Sequence, residues 1–337
     1  MKSVSAKTYA RAGLLGNPSD GYNGKTISLI IGDYFAEVTF THAETISILP
    51  AENETREFRS LKSLQESVTQ QGYYGSERLI KAALKRFADF AGEKIPSRHE
   101  NFTVSVASSI PRQVGLAGSS AIVMATLRAA MKWFNIEIAP QVLASLTLSI
   151  EKDDLKIPAG LQDRVIQAFE GVMFMDFSKA SMHDEHGFDV GHYEPLDLTL
   201  LPEVYVAYSR LGGEPTEITH TDIRGRFHAG DQIMVKAMES FAELAEQGKQ
   251  ALIAGDHERV HDLINANFDL RRSICNLHPL HIQMIETARS VGASAKFCGS
   301  GGAIIGTCTG PDNFTKLKEK LAQIDCETLR PTIGHFQ

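Results

Sequence analysis

The chain has 337 residues, of which 43% are hydrophobic and 22% charged, and its formal net charge at pH 7 is −7. The length favours two domains, and the composition is typical of a folded globular protein. The charge argues against nonspecific nucleic-acid binding, because no basic surplus exists to neutralise phosphates. No apolar stretch reaches the length of a signal-peptide core or a membrane span, so we expect a cytoplasmic protein without a membrane partner.

The four cysteines lie in the C-terminal part of the chain and form no Cys-x-x-Cys pair. Cytosolic proteins keep such thiols reduced, so we predict free thiols rather than disulfides. The cysteines are Cys275, Cys298, Cys308 and Cys326.

The first half of the chain mixes strand-like and helix-like periodicity. Gly32-Asp33 separates two apolar runs at a place where a hairpin turn would join them. Ser76 opens a helical pattern that its side chain would cap. We predict strands over 7–15, 27–31, 34–40, 45–49, 102–106 and 172–177, and helices over 76–90, 119–134, 139–150 and 160–169.

The second half follows a looser, histidine-bearing segment, 178–193, which is the best candidate for a domain boundary. Mixed α and β elements in each half fit an α+β protein of two lobes, residues 1–195 and 196–337. Beyond the boundary we predict strands over 204–208, on both sides of Gly299 and near Thr328, and helices over 232–246, 258–270, 279–291 and 312–322.

A glycine-bearing loop runs directly into a predicted helix at Gly115-Leu116-Ala117-Gly118-Ser119-Ser120-Ala121. The first turn of a helix has N–H groups without intrahelical partners, and glycines let a phosphate approach them closely. The hydroxyls of Ser119 and Ser120 could bond a phosphate or complete a magnesium shell. The alternative is an ordinary glycine turn with a serine N-cap, and neither a Walker A motif nor a dinucleotide fingerprint fits.

Three ordered stretches resemble the motifs of the GHMP kinase superfamily of galactokinases, homoserine kinases, mevalonate kinases and phosphomevalonate kinases. The first is 11–24, which contains Gly-Leu-Leu-Gly-Asn-Pro-Ser-Asp, and the second is the loop over 111–121. The third is Lys296-Phe297-Cys298-Gly299-Ser300-Gly301-Gly302-Ala303. Within the superfamily, the first motif and the wording Ile-Pro-Arg-Gln are similar to plant-type glucuronokinases, and this likeness covers nearly the whole chain.

The resemblance implies an N-terminal lobe like ribosomal protein S5 domain 2, a ferredoxin-like C-terminal lobe, and phosphoryl transfer from ATP with Mg²⁺. The loop Gly115–Ala121 would then bind phosphates, while Ser120 and Glu151 would hold magnesium. Asp163 would accept or orient the proton of the acceptor hydroxyl, and Arg11 would pair with it and neutralise developing charge. Taken alone, Glu151 fits a solvated helix-end carboxylate, Asp163 a first-turn aspartate, and Arg11 a surface arginine.

The sugar-binding residues also follow from the resemblance. Asp20 matches a position that binds sugar hydroxyls, although by itself it fits a turn aspartate. The glycines around Gly301 would close over substrate and phosphate. A uronic acid would further need a cation for its carboxylate, for which a bidentate arginine is the natural partner. Arg224 is our candidate, and Arg210 and Arg226 are the alternatives.

Two positions depart from the superfamily pattern. One extra residue separates Gly115-Leu116 from Ser119-Ser120, which shifts the phosphate loop slightly, and Asn17-Pro18 stand where galactokinases carry Glu-His. The second departure argues against galactose. We predict a sugar 1-kinase that converts D-glucuronate to glucuronate 1-phosphate; the alternatives are a kinase of galactose, galacturonate or a phosphorylated heptose, and a non-catalytic sugar- and ATP-binding paralogue. No feature of the sequence specifies an oligomeric state.

A competing motif is His257-Glu258-Arg259-Val260-His261, which matches the His-Glu-x-x-His pattern of zinc proteases on a predicted helix. Ile264 stands where the extended motif requires glycine, and no third histidine follows at the required distance. Another cluster, His183-Asp184-Glu185-His186, is predicted to be a solvated loop rather than a metal site. Both motifs therefore rank below the kinase hypothesis.

Overall fold

The computed structural model describes residues 2–49, 75–96, 101–211 and 223–336. The strands are β1 Ser3–Leu15, β2 Lys25–Ala43, β3 Ser47–Ile48, β4 Asn101–Ser108, β5 Val172–Asp176, β6 His183–Glu185, β7 Phe188–Val190, β8 His192–Pro195, β9 Val204–Ser209, β10 Lys296–Phe297, β11 Ala303–Thr307 and β12 Cys326–Leu329. The helices are α1 Ser76–Ala91, α2 Gly118–Phe134, α3 Pro140–Ser149, α4 Gln162–Phe169, α5 Gln232–Ala254, α6 His257–Ile274, α7 Pro279–Arg289 and α8 Pro311–Ala322. Residues 223–228 are also helical.

Strand β2 organises the N-terminal sheet, whose described strands follow the order β3-β4-β2-β5-β8, with β1 also paired to β2. Strand β1 runs antiparallel to β2 along most of its length, while β5 pairs with the start of β2 and β4 with its end. Helices α1, α2 and α3 pack over these strands around a core in which Phe40 and Phe102 stack with ring centroids 4.3 Å apart. This core fixes the position at which α2 begins.

The predicted hairpin at Gly32-Asp33 is wrong, because β2 continues through it. Tyr9 pairs with Phe35 and Ala10 with Ile31, so residues 32–34 form a bulge opposite an uninterrupted β1. The N–H of Gly32 donates to the carbonyl of Thr332 at 2.8 Å, and the N–H of Thr332 donates to Asp33 Oδ2 at 2.8 Å. The C-terminal segment therefore satisfies polar groups that a turn would have exposed to water.

The C-terminal sheet is antiparallel, with the described strands in the order β10-β11-β9-β12. Helices α7 and α8 pack on it around a core that includes Phe268, Phe297 and Leu317. A second core is shared between the two sheets and joins side chains of β1 and β2 to those of α5, α6, β9 and β11. The two lobes are thus held together by continuous apolar packing rather than by a thin linker.

The segment 178–193 contains more structure than we predicted. It forms the β6–β7 hairpin and enters β8, which pairs with β5 in the N-terminal sheet. The N-terminal sheet ends at Pro195, and β9 of the C-terminal sheet starts at Val204. The division at residue 195 stays a prediction.

Other element ends differ from the prediction by a few residues. Gly75 occupies the N-cap position of α1, so Ser76 is not its cap. The strand predicted over 45–49 is reduced to the two residues of β3. Strand β1 and helices α5 and α6 are longer than their apolar periodicity indicated. All four cysteines are free thiols. None of the helices described is both long and apolar enough for a membrane crossing.

Candidate active site

A cleft of about 1570 Å³ lies where the two lobes meet, and all three glycine-bearing stretches line it. The loop after β1 contributes Asn17 and Asp20, the loop before α2 contributes Gly115 to Ser120, and the loop after β10 contributes Gly299 and Ser300. A concave site of this size is large enough to take two small-molecule substrates together. The three stretches are distant in sequence and meet only in the folded chain.

The start of α2 and the loop before it line one part of the cleft. Helix α2 begins at Gly118, after Gly115 with φ +74° and Ala117 with φ +60°. The first intrahelical bond runs from the N–H of Ala121 to the carbonyl of Ala117 at 3.0 Å, so the preceding N–H groups have no partner inside the helix. Gln167 Nε2 donates to the Ala117 carbonyl at 3.1 Å and holds the loop in place. The arrangement suits a phosphate.

The residues of the predicted phosphate loop play different structural parts. Ser119 is exposed at the mouth of the helix, whereas Ser120 is 3% exposed and turned inward. Leu116 and Ala121 are core residues of the apolar cluster shared by the lobes. Ala121 does not line the cleft, so among the predicted phosphate-binding residues it can only support the others.

The third glycine stretch packs directly on the phosphate loop. A Cβ atom at Gly299 would lie 2.5 Å from the carbonyl oxygen of Gly115, and one at Gly115 would lie 2.9 Å from that of Gly301. Only glycine permits such close contact between two backbones. Gly301 has φ +143° and faces His281 in a small side cavity, while Gly299 and Ser300 face the main cleft. Gly301 is therefore placed behind the site rather than inside it.

Arg11 and Asp163 form a bidentate ion pair at the centre of the cleft. Nε and Nη2 of Arg11 donate to Oδ1 and Oδ2 of Asp163, each at 2.5 Å, and Nη1 donates to the Gly115 carbonyl at 2.7 Å. Burial alone would raise the pKa of Asp163, but the guanidinium groups of Arg11 and Arg164 lower it to about 2. Asp163 is therefore a carboxylate at neutral pH. The surface alternative for Arg11 is wrong, because both side chains are largely buried and paired with each other. Asp163 does lie in the first turn of α4, and it pairs with Arg11 from there.

Ser120 and Glu151 meet next to the phosphate loop. Ser120 Oγ donates to Glu151 Oε1 at 2.9 Å, and Glu151 is 1% exposed on a π-helical turn that follows α3. The solvated helix-end alternative for Glu151 is therefore wrong. The other oxygen of Glu151 accepts from Nε and Nη2 of Arg164, whose Nη1 lies 3.4 Å from Asp163 Oδ2. Arg164 thus links the predicted magnesium ligand to the predicted catalytic carboxylate.

Asp20 faces the same space from the loop after β1. Its Oδ2 accepts a hydrogen bond from the N–H of Gln162 at 3.3 Å. A Cβ atom added at Gly160 would lie only 2.0 Å from the same oxygen, so the carboxylate packs directly on the backbone of Gly160. Burial, reinforced by the charge of Asp163, raises the pKa of Asp20 to about 6. Asp20 is thus held against the start of α4, half-buried and within electrostatic reach of Asp163 and Arg11.

The three arginines considered for a carboxylate occupy different places. Arg224 lines the cleft and donates a hydrogen bond to the hydroxyl of Tyr22. Arg210 also lines the cleft but is exposed and pairs with Glu327 at 3.0 Å. Arg226 pairs with Asp231 at 2.9 Å and is not among the cleft-lining residues. Arg226 thus lies outside the lining of the cleft that holds the other two arginines.

Sequence reasoning missed several polar residues that build this site. Asn267 and Arg271 lie one turn apart on α6, within the buried stripe of that helix. Asn267 Oδ1 accepts from the N–H of Gly16 at 2.7 Å, and Arg271 Nη1 donates to the carbonyl of Gly299 at 2.7 Å. Lys296 is buried and donates to Asn17 Oδ1 at 2.5 Å. A polar residue at an apolar position of a helical stripe was the signal available for Asn267 and Arg271.

The metal motifs do not assemble. His257 and Glu258 are exposed, and His261 Nδ1 lies 2.9 Å from the hydroxyl of Thr307 in a hydrogen bond. His183 to Glu185 is strand β6 of a surface hairpin rather than a loop. In the part of the chain that the structure describes, no group of three or more His, Cys, Asp and Glu side chains could hold a metal ion.

Comparison with known proteins agrees with this geometry. The family model of the GHMP kinases N terminal domain matches residues 78–171. Glucuronokinase 1 of Arabidopsis thaliana is 39% identical over 98% of this chain and 91% of its own length, and probable glucuronokinase 2 of the same plant is 40% identical over 93% and 87%. The structure of Lactococcus lactis galactokinase complexed with galactose superposes with a TM-score of 0.78 at 16% identity, covering 99% of this chain and 94% of that one.

These matches confirm the predicted superfamily and its mixed α and β fold. The chain belongs to the GHMP kinases, within the group that contains the glucuronokinases. It is accordingly a phosphotransferase. The likeness to galactokinase, at 16% identity, concerns the fold alone.

Proposed function

We propose that this protein transfers the γ-phosphoryl group of ATP to the anomeric hydroxyl of D-glucuronate, forming glucuronate 1-phosphate. The observation that carries the proposal is the near-full-length similarity to two glucuronokinases. The cleft supports it, because N–H groups at the start of a helix, the buried Asp163–Arg11 pair and the carboxylate of Asp20 surround one space. The sequence prediction and this proposal name the same reaction.

In this proposal the N–H groups at the start of α2 bind the phosphates of ATP. The acceptor hydroxyl donates its hydrogen bond to Asp163, which orients the oxygen towards the γ-phosphorus. With a pKa of about 2, Asp163 is a weak base. A weak base suffices when the transition state is loose, because the hydroxyl proton leaves late and the carboxylate takes it as the new O–P bond forms. Arg11 keeps that carboxylate ionised and fixed.

Ser120 and Glu151 are the residues that would hold a magnesium ion. A hydroxyl and a carboxylate oxygen 2.9 Å apart suit Mg²⁺, which commonly takes one or two carboxylates and fills its shell with phosphate and water oxygens. When bound, the ion would neutralise charge on the phosphates. Arg164 holds the other oxygen of Glu151 and so fixes its orientation. We propose Mg²⁺ and ATP as the cofactor and co-substrate on this basis.

The proposal further places the enzyme in the cytoplasm, where the thiols of four cysteines that form no disulfide remain reduced. Its partners in the proposal are ATP and a small sugar acid, without nucleic acid or membrane.

The test is ADP release by the purified protein with ATP and Mg²⁺ across glucuronate, galacturonate, galactose, mannose, glucose and mevalonate. We expect turnover on glucuronate, and phosphorus NMR should show a phosphate on the anomeric carbon. Turnover only on a neutral sugar would keep the kinase and reject glucuronate. ATP binding without turnover on any acceptor would favour the non-catalytic paralogue.

A further inference from the structure

Six arginines line the described part of the cleft, and their partners divide them into two groups. Three are paired with carboxylates: Arg11 with Asp163, Arg164 with Glu151, and Arg210 with Glu327. The other three, Arg112, Arg224 and Arg271, form no ion pair with any described residue. An unpaired guanidinium in a cleft is available to an anionic ligand.

Arg271 is the buried member of the second group. It is 2% exposed, whereas Arg112 is exposed on the loop before Gly115 and Arg224 is half-buried. Burying a cation without a counter-ion is costly, and burial lowers the pKa of Arg271. The hydrogen bonds of Arg271 to the carbonyls of Gly299 and Ser300 need N–H donors but not a full positive charge. The charge therefore has a use other than packing.

The hydrogen bonds that Arg271 makes within the protein do not use all of its N–H donors, so some are available to a ligand. Nη1 donates to the carbonyl of Gly299 at 2.7 Å and Nη2 to that of Ser300 at 3.3 Å. Its Nε is buried and has no hydrogen-bond partner. A guanidinium has five N–H groups in a planar fork, which matches the two oxygens of a carboxylate. The two backbone carbonyls fix the plane of the fork before any ligand arrives.

The neighbours of Arg271 place it at the acceptor end of the cleft. One turn earlier on α6, Asn267 binds the loop that carries Asp20. On its other side, Ile274 and Cys275 pack with Tyr22, whose hydroxyl accepts from Arg224. Ser120 and Glu151 instead lie at and beside the start of α2, and no hydrogen bond or ion pair of the described residues joins them to Arg271.

We propose that Arg271, flanked by Arg224, forms a carboxylate subsite that binds the acid group of the uronic acid acceptor. This inference rests on the proposed function and deepens it, since it assigns the selection of uronic acids over neutral sugars to one side chain. The carboxylate supplies the counter-ion that the folded chain does not provide. Arg224, our candidate from the sequence, then has a supporting part.

The experiment compares D-glucuronate with D-glucuronamide, which replaces the charged carboxylate by a neutral amide. We expect wild-type kcat/KM to favour glucuronate, and Arg271→Met to lower it about 100-fold more for glucuronate than for the amide, since the lost contacts to the Gly299 loop affect both acceptors alike. Arg271→Lys should retain part of the preference, because it keeps the charge but not the fork. Arg272→Met is the matched control, since Arg272 is exposed and pairs with Glu286 at 3.0 Å.

An equal loss on both acceptors in Arg271→Met would overturn the inference, because Arg271 would then serve the phosphates or the loop at Gly299. Retained preference for glucuronate would overturn it as well, by placing the carboxylate elsewhere. ATP affinity and melting temperature are measured on each variant, and Arg271→Lys carries the test if Arg271→Met does not fold. Turnover by the wild type on neutral sugars without preference for the acid rejects the subsite and keeps the kinase. No turnover on any acceptor rejects the proposed function itself.

Discussion

Arg11 lies in the first motif and donates to Gly115 in the second and to Cys298 in the third, and it also donates to Asp163, which lies outside the three motifs. Its remaining contacts are those of a buried strand residue on β1. A guanidinium suits this position because its donors point in several fixed directions in one plane. The same side chain therefore positions the loops and determines the ionisation of Asp163.

Asp163→Asn should abolish most turnover while leaving ATP binding intact. The amide keeps the shape of the carboxylate but loses the negative charge that orients the acceptor hydroxyl and pairs with Arg11. We expect kcat to fall by about 10³-fold or more, with the dissociation constant of ATP changed by less than about threefold. Steady-state kinetics and calorimetry measure the two quantities. A kcat within tenfold of wild type would remove Asp163 from the mechanism.

Asp20 should give the acceptor affinity a pH dependence. In the proposed site an ionised Asp20 would accept hydrogen bonds from sugar hydroxyls, and its pKa of about 6 means that it protonates as the pH falls through that value. We expect the KM for the acceptor to rise by about tenfold per pH unit below the pKa, and Asp20→Asn to remove this step. Asp312→Asn, at an exposed helix start, is the control. An unchanged pH profile in Asp20→Asn would contradict the assignment.

The raised pKa of Asp20 also changes the pH dependence of the free energy of unfolding. The sign is opposite to that for an aspartate whose pKa is lowered on folding. The folded chain holds the proton of Asp20 more tightly than the unfolded chain, because the pKa rises from 3.8 to about 6. Between these two values the folded state binds more protons, so the contribution of Asp20 to the free energy of unfolding falls as the pH rises. The pKa of Asp163 is lowered to about 2, so its stabilising contribution is present above 3.8 and is lost only as the pH falls towards 2.

Helix α6 is the element that assembles the acceptor end of the cleft. Its apolar residues pack into the shared core, while Asn267 and Arg271 replace apolar side chains at two successive turns of the buried stripe. Each side chain holds a different loop, at Gly16 and at Gly299. One helix therefore fixes the distance between the first and third motifs.

The backbones of the second and third motifs are in such close contact at Gly115 and Gly299 that no side chain should fit at Gly299. In Gly299→Ala the new Cβ would lie 2.5 Å from the Gly115 carbonyl and 3.1 Å from Arg11 Nη2. The loop must then move away from the phosphate site, and a displacement of this size should lower kcat/KM by about 10- to 100-fold. Gly225→Ala is the control, since a Cβ there meets no atom within 4 Å. Equal activity of the two variants would show that the loops can separate without loss.

At the scale of the whole molecule, the C-terminal segment ties the second lobe back to the first. After β12 the chain returns to the bulge in β2, and the N–H of Gly171 donates to the carbonyl of Gly334 at 3.0 Å. The N–H of Phe336 donates to Glu170 Oε2 at 2.6 Å, and its ring lies 4.7 Å from that of Tyr9. This segment and the shared core together fix the positions of the cleft residues of one lobe relative to those of the other.

Phe336→Ala should therefore destabilise the protein although the ring is 37% exposed. The variant removes the packing on Tyr9 and Gly32, for which we expect a loss of about 1 to 2 kcal/mol in the free energy of unfolding. Ile253→Ala, at a side chain 53% exposed, should change it by less than about 0.5 kcal/mol. Urea denaturation measures both. Equal values would mean that the segment does not contribute to stability.

The sequence by itself determined the elements and the chemistry of the motifs. Apolar periodicity predicted most helices and strands, because each buries one face, and the three glycine stretches identified the superfamily in their order along the chain. The predicted hairpin at Gly32-Asp33 is wrong because turn propensity depends only on residues adjacent in sequence. The partners that accommodate the bulge are distant in sequence: Ala10 on β1 and Thr332 near the end of the chain.

Only the tertiary structure decided which polar residues meet. Taken alone, Glu151 fitted a solvated helix end and Asp163 an ordinary first-turn aspartate, yet burial beside Arg164 makes them one connected group. Arg271 showed no motif at all. Its role follows from lacking a carboxylate partner among the described residues inside a cleft formed by both lobes. Pairing across the fold depends on distances in space, and a periodic pattern reports only which face of an element is buried.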